Sequence, residues 1–229
     1  MATQYDIVRL ERVESTQDDA RRMLETHQRP VLVVADRQFL GRGRQGRQWL
    51  QPDRGMFASY GFVSDWTGDH ATLIPLVAAV AMHSAVFEIF GVEVGLRWPN
   101  DLMTDSGKVG GILVEASSGD VVIGCGMNVW WRHPITGAAS LVSDDPGREV
   151  PQALAEVWAR NLSDYIAEGG DAWPRTEYEA ASVTLGGRVF WGDESGDAVE
   201  IAPNGALVVE TNGARVFIHA GEVHTHDGH

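Results

Sequence analysis

Within this 229-residue sequence the segment 110–129 does most to restrict the fold. Two apolar runs, 110–116 and 121–129, are separated only by Ser117-Ser118-Gly119-Asp120. Four such turn-forming residues make a hairpin, which places the two runs side by side and antiparallel. The surrounding pattern interleaves helices with strands. Ser15 or Thr16 can cap a helix carrying Ala20, Met23 and Leu24, with Asp18 and Asp19 favourably placed in its first turn. Residues 31–35 form a β-branched apolar run bounded by Pro30 and Asp36, which fits a buried strand. A further strand is expected over 56–63, a long helix over 71–90, a strand ending at Trp98, and a helix over 152–168 that closes at Gly169-Gly170. The expectation is an α+β fold with a mostly antiparallel or mixed sheet and helices packed on it.

Beyond residue 183 the texture changes to short β-rich runs at 188–191, 198–201, 206–210 and 215–219. They are divided by Gly192, Pro203-Asn204-Gly205 and Asn212-Gly213, a spacing that suits a small meander or barrel. Two domains are therefore expected, 1–182 and 183–229.

Charge narrows the function. Eighteen basic residues, 17 arginines and the single Lys108, stand against 32 acids, a formal net charge of −14. That balance argues against a nucleic-acid partner, which calls for a positive face, and against an anionic membrane surface. One cysteine, Cys125, rules out an intramolecular disulfide framework and a multi-cysteine metal site. The first twelve residues lack a basic segment followed by an apolar one, and the apolar stretch 71–90 is interrupted by Pro75, His83 and Glu88. Both fit a cytoplasmic protein with a buried helix. The polar end His224-Thr225-His226-Asp227-Gly228-His229 suits a frayed terminus or a chelating cluster, and the other histidines show no ligand spacing, so no metal site is assigned.

Three constellations carry chemistry. The first, Gly41-Arg42-Gly43-Arg44-Gln45-Gly46-Arg47-Gln48-Trp49, satisfies G-x-G-x-x-G, but no helix follows it, since Pro52, Asp53 and Gly55 break the chain. It does concentrate charge: residues 37–54 hold five arginines (37, 42, 44, 47, 54) and one acid, Asp53. Two readings stand: a solvated loop whose arginines pair with surface acids, or a flexible lid over an anionic, ring-bearing ligand. The second joins Arg97-Trp98-Pro99-Asn100-Asp101 to Lys108-Val109-Gly110-Gly111-Ile112-Leu113-Val114-Glu115, delivering a carboxylate and an amine to one place from adjoining strand ends. A surface ion pair is the plainer account of it. The third, Gly124-Cys125-Gly126-Met127-Asn128, sets Asn128 at the end of a glycine-interrupted strand, where a turn-forming role is equally open.

Together with Glu14-Ser15-Thr16 and Gln38, these motifs resemble the biotin protein ligase family, the biotin–[acetyl-CoA-carboxylase] ligases, in order from residue 14 to 128. The resemblance implies a class II synthetase-like catalytic domain followed by a small SH3-like β-barrel. It implies two steps: ATP activates biotin to biotinyl-5′-AMP with release of pyrophosphate, and a lysine of a biotin carboxyl carrier domain of acyl-CoA carboxylase then takes the biotinyl group. Mg2+ is implied with ATP. Biotin would be bound by Ser15, Thr16, Gln17, Gln38, Arg42, Gly43, Arg44, Lys108, Gly110 and Gly111. The adenylate would be bound by Arg44, Arg47, Trp49, Asn100, Lys108 and Asn128, with Lys108, Arg42 and Asp101 as the catalytic set. Gln17 stands where the family usually has Asn, and Leu40 precedes the lid where a small residue is common. With no room before Glu14 for a helix-turn-helix, the expectation is the monofunctional form without DNA binding, as a monomer or homodimer. A lipoate ligase-like adenylating enzyme, a non-catalytic biotin or adenylate binder, and a nucleic-acid module built on the arginine loop are the alternatives.

Overall fold

The 110–129 hairpin forms as two long strands, β6 (Gly107–Ser117) and β7 (Asp120–Trp130), inside a seven-stranded sheet. The computed structural model describes residues 5–66, 68–219 and 223–225. The other strands of this sheet are β1 (Asp6–Val13), β2 (Val31–Gln38), β3 (Arg54–Val63), β4 (Gly95–Arg97) and β5 (Asp101–Thr104), in the order β1-β2-β3-β7-β6-β5-β4. Only β1 and β2 run parallel, joined by the helix α1 (Thr16–His27), so the sheet is mixed. Edge strand β1 intersperses its apolar residues with Asp6, Arg9, Glu11 and Arg12 and is mostly exposed, and β5 is only 4 residues long, so neither stands out in the sequence.

Strand alternation assigns the two faces. Val31 and Val33 of β2 pack with Ala20 of α1 and Val122 of β7, whereas Leu32 and Val34 join the main core. That core is covered by α2 (Ile74–Phe90) and α3 (Val150–Glu168), which meet where the Trp158 indole donates to the Ala78 carbonyl at 3.1 Å. The expected long helix starts as a 3-10 turn, Gly68–Leu73, before α2, and Pro75 and Pro151 sit in first turns, where a missing N–H costs nothing. The stretch His70–Phe90 is long and apolar enough to cross a membrane, and its burial beneath the sheet and α3 accounts for that hydropathy. Ser15 occupies the N-cap of α1 without bonding the helix; its hydroxyl serves no cap.

After the short helix α4 (Arg175–Ala181), which is too short to show a periodic pattern, come β8 (Arg188–Trp191), β9 (Glu194–Ile201), β10 (Leu207–Thr211), β11 (Ala214–Ile218) and β12 (His224–Thr225). They form an antiparallel sheet in the order β11-β10-β9-β8-β12, in keeping with a small SH3-like unit. Residues 203–205 are held by side chains that lie just outside the larger sheet: Trp98 Nε1 donates to Gly205 O at 3.0 Å, Trp173 Nε1 to Pro203 O at 2.9 Å, and Thr72 Oγ1 to Asn204 O at 2.7 Å. Val189, Ile201 and Val209 share the main hydrophobic cluster. At the start of the polar end His224 pairs with Phe190 and Thr225 with Val189, while residues 226–229 lie outside the described residues.

Candidate active site

The helix α1 covers only part of its face of the sheet. Beyond its contact with Val122, that face is left open over the later part of β7 and over β6, β5 and β4, and it floors a cavity of about 470 Å³. The floor is open because its residues are small: Gly111 of β6 pairs in register with Gly126 of β7, and the Trp49 indole lies across both. A Cβ added to Gly126 would stand 2.6 Å from Trp49 Cε2.

Every residue expected at the site lines this cavity except Gly110. The structure corrects that assignment through strand alternation. Gly110 is buried on the opposite face, where an added Cβ would fall 2.0 Å from Met127 Sδ, whereas Gly111 faces the cavity. Lys108 would share the Gly110 face in a regular strand. A β-bulge prevents this: Leu102 pairs with Gly110 and Met103 with Lys108, leaving Val109 as an extra, fully buried residue. Lys108 is thereby turned to the cavity, its Nζ 2.5 Å from Asp101 Oδ1 and 5.7 Å from the centre of the Trp49 ring. Its backbone is fixed from outside by 137–139, since Lys108 N–H donates to Gly137 O at 3.0 Å and Ala139 N–H to Lys108 O at 2.8 Å.

At one end the cavity is neutral and polar. Gln38 Oε1 accepts from the Thr16 backbone N–H at 2.9 Å and from Thr16 Oγ1 at 3.1 Å, and Thr16 Oγ1 lies 2.8 Å from Ser59 Oγ. Ser15 Oγ, Gln17 Oε1 and Trp49 Nε1 are buried with no hydrogen-bond partner among the described residues. Buried polar atoms of this kind are costly unless a ligand or water meets them. Asn128 is buried in the wall and donates from Nδ2 to Lys108 O at 3.4 Å.

The other end is cationic. Arg42, Arg44, Arg47, Arg97 and Lys108 line the cavity, and among the described lining residues Asp101 is the sole acid. Arg54 turns away to a two-point pair with Asp145, so the positive island facing the cavity is smaller than the arginine count suggests. The lid is folded rather than loose: Gly43 N–H donates to Arg47 O at 2.7 Å and Trp49 N–H to Gly41 O at 2.8 Å. Arg44 Nη1 donates to Asn100 Oδ1 at 2.8 Å, and Arg42 grips both oxygens of Asp18 at 2.6 and 2.9 Å. For Arg42 the pairing with a surface acid thus holds alongside the lid.

That Arg42 hydrogen bond holds the Asp18 carboxyl below its ordinary value of 3.8, and Asp18 in turn raises Arg42. Because the folded carboxyl is depressed, the latch contributes fully above pH 3.8 and fades as pH falls through the lower folded value. Amide exchange at Gly43 and Trp49, corrected for its intrinsic rate, is expected to stay level above that pH and to accelerate below it. In Asp18→Asn this step should vanish.

Sequence reasoning missed several lining groups. Ser59 was visible as a lone hydroxyl in an apolar strand; Ile135, Gly137 and Ala138 lie in a segment without periodicity, and His224 arrives from the far end of the chain. Among the described residues no group of three or more His, Cys, Asp or Glu is placed to hold a metal ion. Cys125 lies buried in the floor, its thiol pushed up by burial.

A mixed sheet carrying an arginine lid and a lysine–carboxylate pair over one cavity is suited to holding an anionic ligand. Residues 9–128 match the biotin/lipoate A/B protein ligase family. The biotin–[acetyl-CoA-carboxylase] ligase of Mycobacterium tuberculosis is 32% identical over 84% of this chain and 78% of its own length. That of Paracoccus denitrificans is 28% identical over 93% and 98%. The biotin protein ligase of Aquifex aeolicus, solved in complex with biotin and ATP, superposes with a TM-score of 0.81 at 28% identity, covering 96% of this chain and 98% of that one. The chain belongs to the biotin/lipoate A/B protein ligase family, and within it to the biotin protein ligases.

Proposed function

We propose that this chain joins biotin to the carrier domain of an acyl-CoA carboxylase in two steps, through biotinyl-5′-AMP, in the cytoplasm. The observation that carries the reading is the charge reversal at the cavity: five Arg and Lys side chains and one acid line it, in a chain of net charge −14. A site of that kind is suited to drawing two anions, a carboxylate and a triphosphate, into contact. The names of the relatives, and the biotin and ATP of the Aquifex aeolicus structure, support the choice of substrates.

In the first step Ser15, Thr16, Gln17 and Gln38 receive the ureido ring, whose donors and acceptors match the unpartnered Ser15 and Gln17 oxygens. Arg42, with the Gly43 backbone beside it, and Arg44 approach the carboxylate and the α-phosphate, and Lys108 offsets their combined charge as the carboxylate oxygen attacks phosphorus. Pyrophosphate leaves past Arg47. The adenine stacks on Trp49, with Asn128 at its edge, and Asn100 steadies Arg44. Magnesium would ride on the phosphates, because Asp101 is engaged by Arg97 and Lys108. In the second step the carrier lysine's nitrogen attacks the biotinyl carbonyl, AMP leaves, and Asp101 is placed to take the proton. Residues 1–182 would carry this chemistry and 183–229 a smaller C-terminal unit.

Incubation with ATP, Mg2+, biotin and a carrier domain, followed by intact mass measurement, is the direct test. The carrier is expected to gain one biotinyl group, and lipoate in place of biotin is expected to give neither mass gain nor pyrophosphate. An unchanged carrier mass with biotin would sink the proposal.

A further inference from the structure

Asp101 holds two cations, one on each oxygen. Arg97 Nη2 lies 2.7 Å from Oδ2, and Lys108 Nζ lies 2.5 Å from Oδ1. The carboxylate is the least exposed of the three, with 17% of its side chain open to solvent against 28% for Arg97 and 31% for Lys108. Arg97 and Asp101 face each other in register across the β4–β5 hairpin, so the backbone holds that pair together. The bulge supplies the third member from β6.

In the reaction proposed above, Lys108 must turn from Asp101 toward the carboxylate and α-phosphate of the ligands. Without Arg97, that movement would leave a largely buried carboxylate with no cation on it, and the carboxylate would resist it. We infer that Arg97 is a positioning residue that frees Lys108: it is the counter-ion that stays on Asp101 when Lys108 engages the ligands. The inference rests on that reading of the site, and it gives work to an arginine that the motif contained but to which no role was attached.

The test is a double-mutant cycle on biotin-dependent pyrophosphate release, the first half-reaction alone. Arg97→Met is expected to slow release about fivefold to tenfold, as coupled charges do, with the biotin KM unchanged. Arg97→Lys should recover most of the rate. In an Asp101→Asn background, adding Arg97→Met should change nothing, because the charge to be balanced is gone. Equal slowing in both backgrounds would mean a merely structural arginine and would overturn the inference, as would a wild-type rate in Arg97→Met.

A second readout does not depend on turnover. Since Lys108 is the only lysine, 15N-lysine labelling gives one side-chain ammonium signal. It should move on addition of biotin with a non-hydrolysable ATP analogue in the wild type and move less in Arg97→Met. If Arg97→Met fails to fold, Arg97→Gln carries the same comparison, and an identical shift in wild type and variant counts against the inference. A wild type that releases no pyrophosphate overturns the functional reading beneath it, an outcome distinct from an active wild type unaffected by loss of Arg97.

Discussion

Replacing Lys108 with alanine is expected to slow biotin-dependent pyrophosphate release by on the order of a hundredfold or more, about 3 kcal/mol of transition-state stabilisation. The ammonium reaches the cavity because the bulge at Val109 turns it there, and of the two cations on Asp101 it is Arg97 that the β4–β5 pairing holds in place. No second lysine exists to substitute for it. Folding should be little affected: the Lys108 side chain is about one-third exposed, and Asp101 keeps Arg97 after the truncation, so the stability change should stay within about 1 kcal/mol. Lys108→Arg restores the charge with a planar, bulkier group and should recover only part of the rate. A Lys108→Ala enzyme within a few-fold of the wild type, with its melting temperature unchanged, would remove Lys108 from the chemistry.

Gly126→Ala is expected to raise the KM for ATP about tenfold to a hundredfold, the range of one lost base–aromatic stack. Gly126 is regular β7 backbone, paired with Phe57 on one side and Gly111 on the other, so alanine is acceptable to the strand itself. The obstacle is Trp49, whose Cε2, Nε1 and Cζ2 atoms would lie 2.6, 2.7 and 3.0 Å from the new methyl group. The indole must lift from the floor and lose the surface on which adenine would rest. Biotin binding, at the Thr16–Gln38 end, should be preserved. Measuring both KM values decides the matter: a rise in both, or in neither, would contradict the division of the cavity into a ureido end and an adenine end. Gly111→Ala should act in the same direction more weakly, since Trp49 and Lys108 stand 3.3 and 3.4 Å from that position.

Much of this site was legible because its motifs are short and local. The 41–49 string concentrates arginines that do reach the cavity at 42, 44 and 47, and the 98–101 motif, in the turn that leads into β5, lies beside the 108–115 motif on the neighbouring strand β6. The lid was harder to read. Its glycines suggested mobility, yet Arg42 and Arg44 are fastened to Asp18 and Asn100, partners 24 and 56 residues away that no local pattern identifies.

By itself the sequence determined which groups exist and in what order: one lysine, an arginine island, paired glycines on strands, and a hairpin that forces β6 against β7. Those follow from residue chemistry and from spacings of a few residues. Which face each group takes was decided only by the tertiary structure. A single extra residue at Val109 inverts the alternation of β6, so Lys108 joins Gly111 over the cavity while Gly110 packs against Met127. Side chains alternate with a period of two, and one bulge reverses everything beyond it; no count along the chain reveals where that happens. The same holds for His224 and for 135–138, which reach the cavity through long-range pairing with β8 and with the Lys108 backbone.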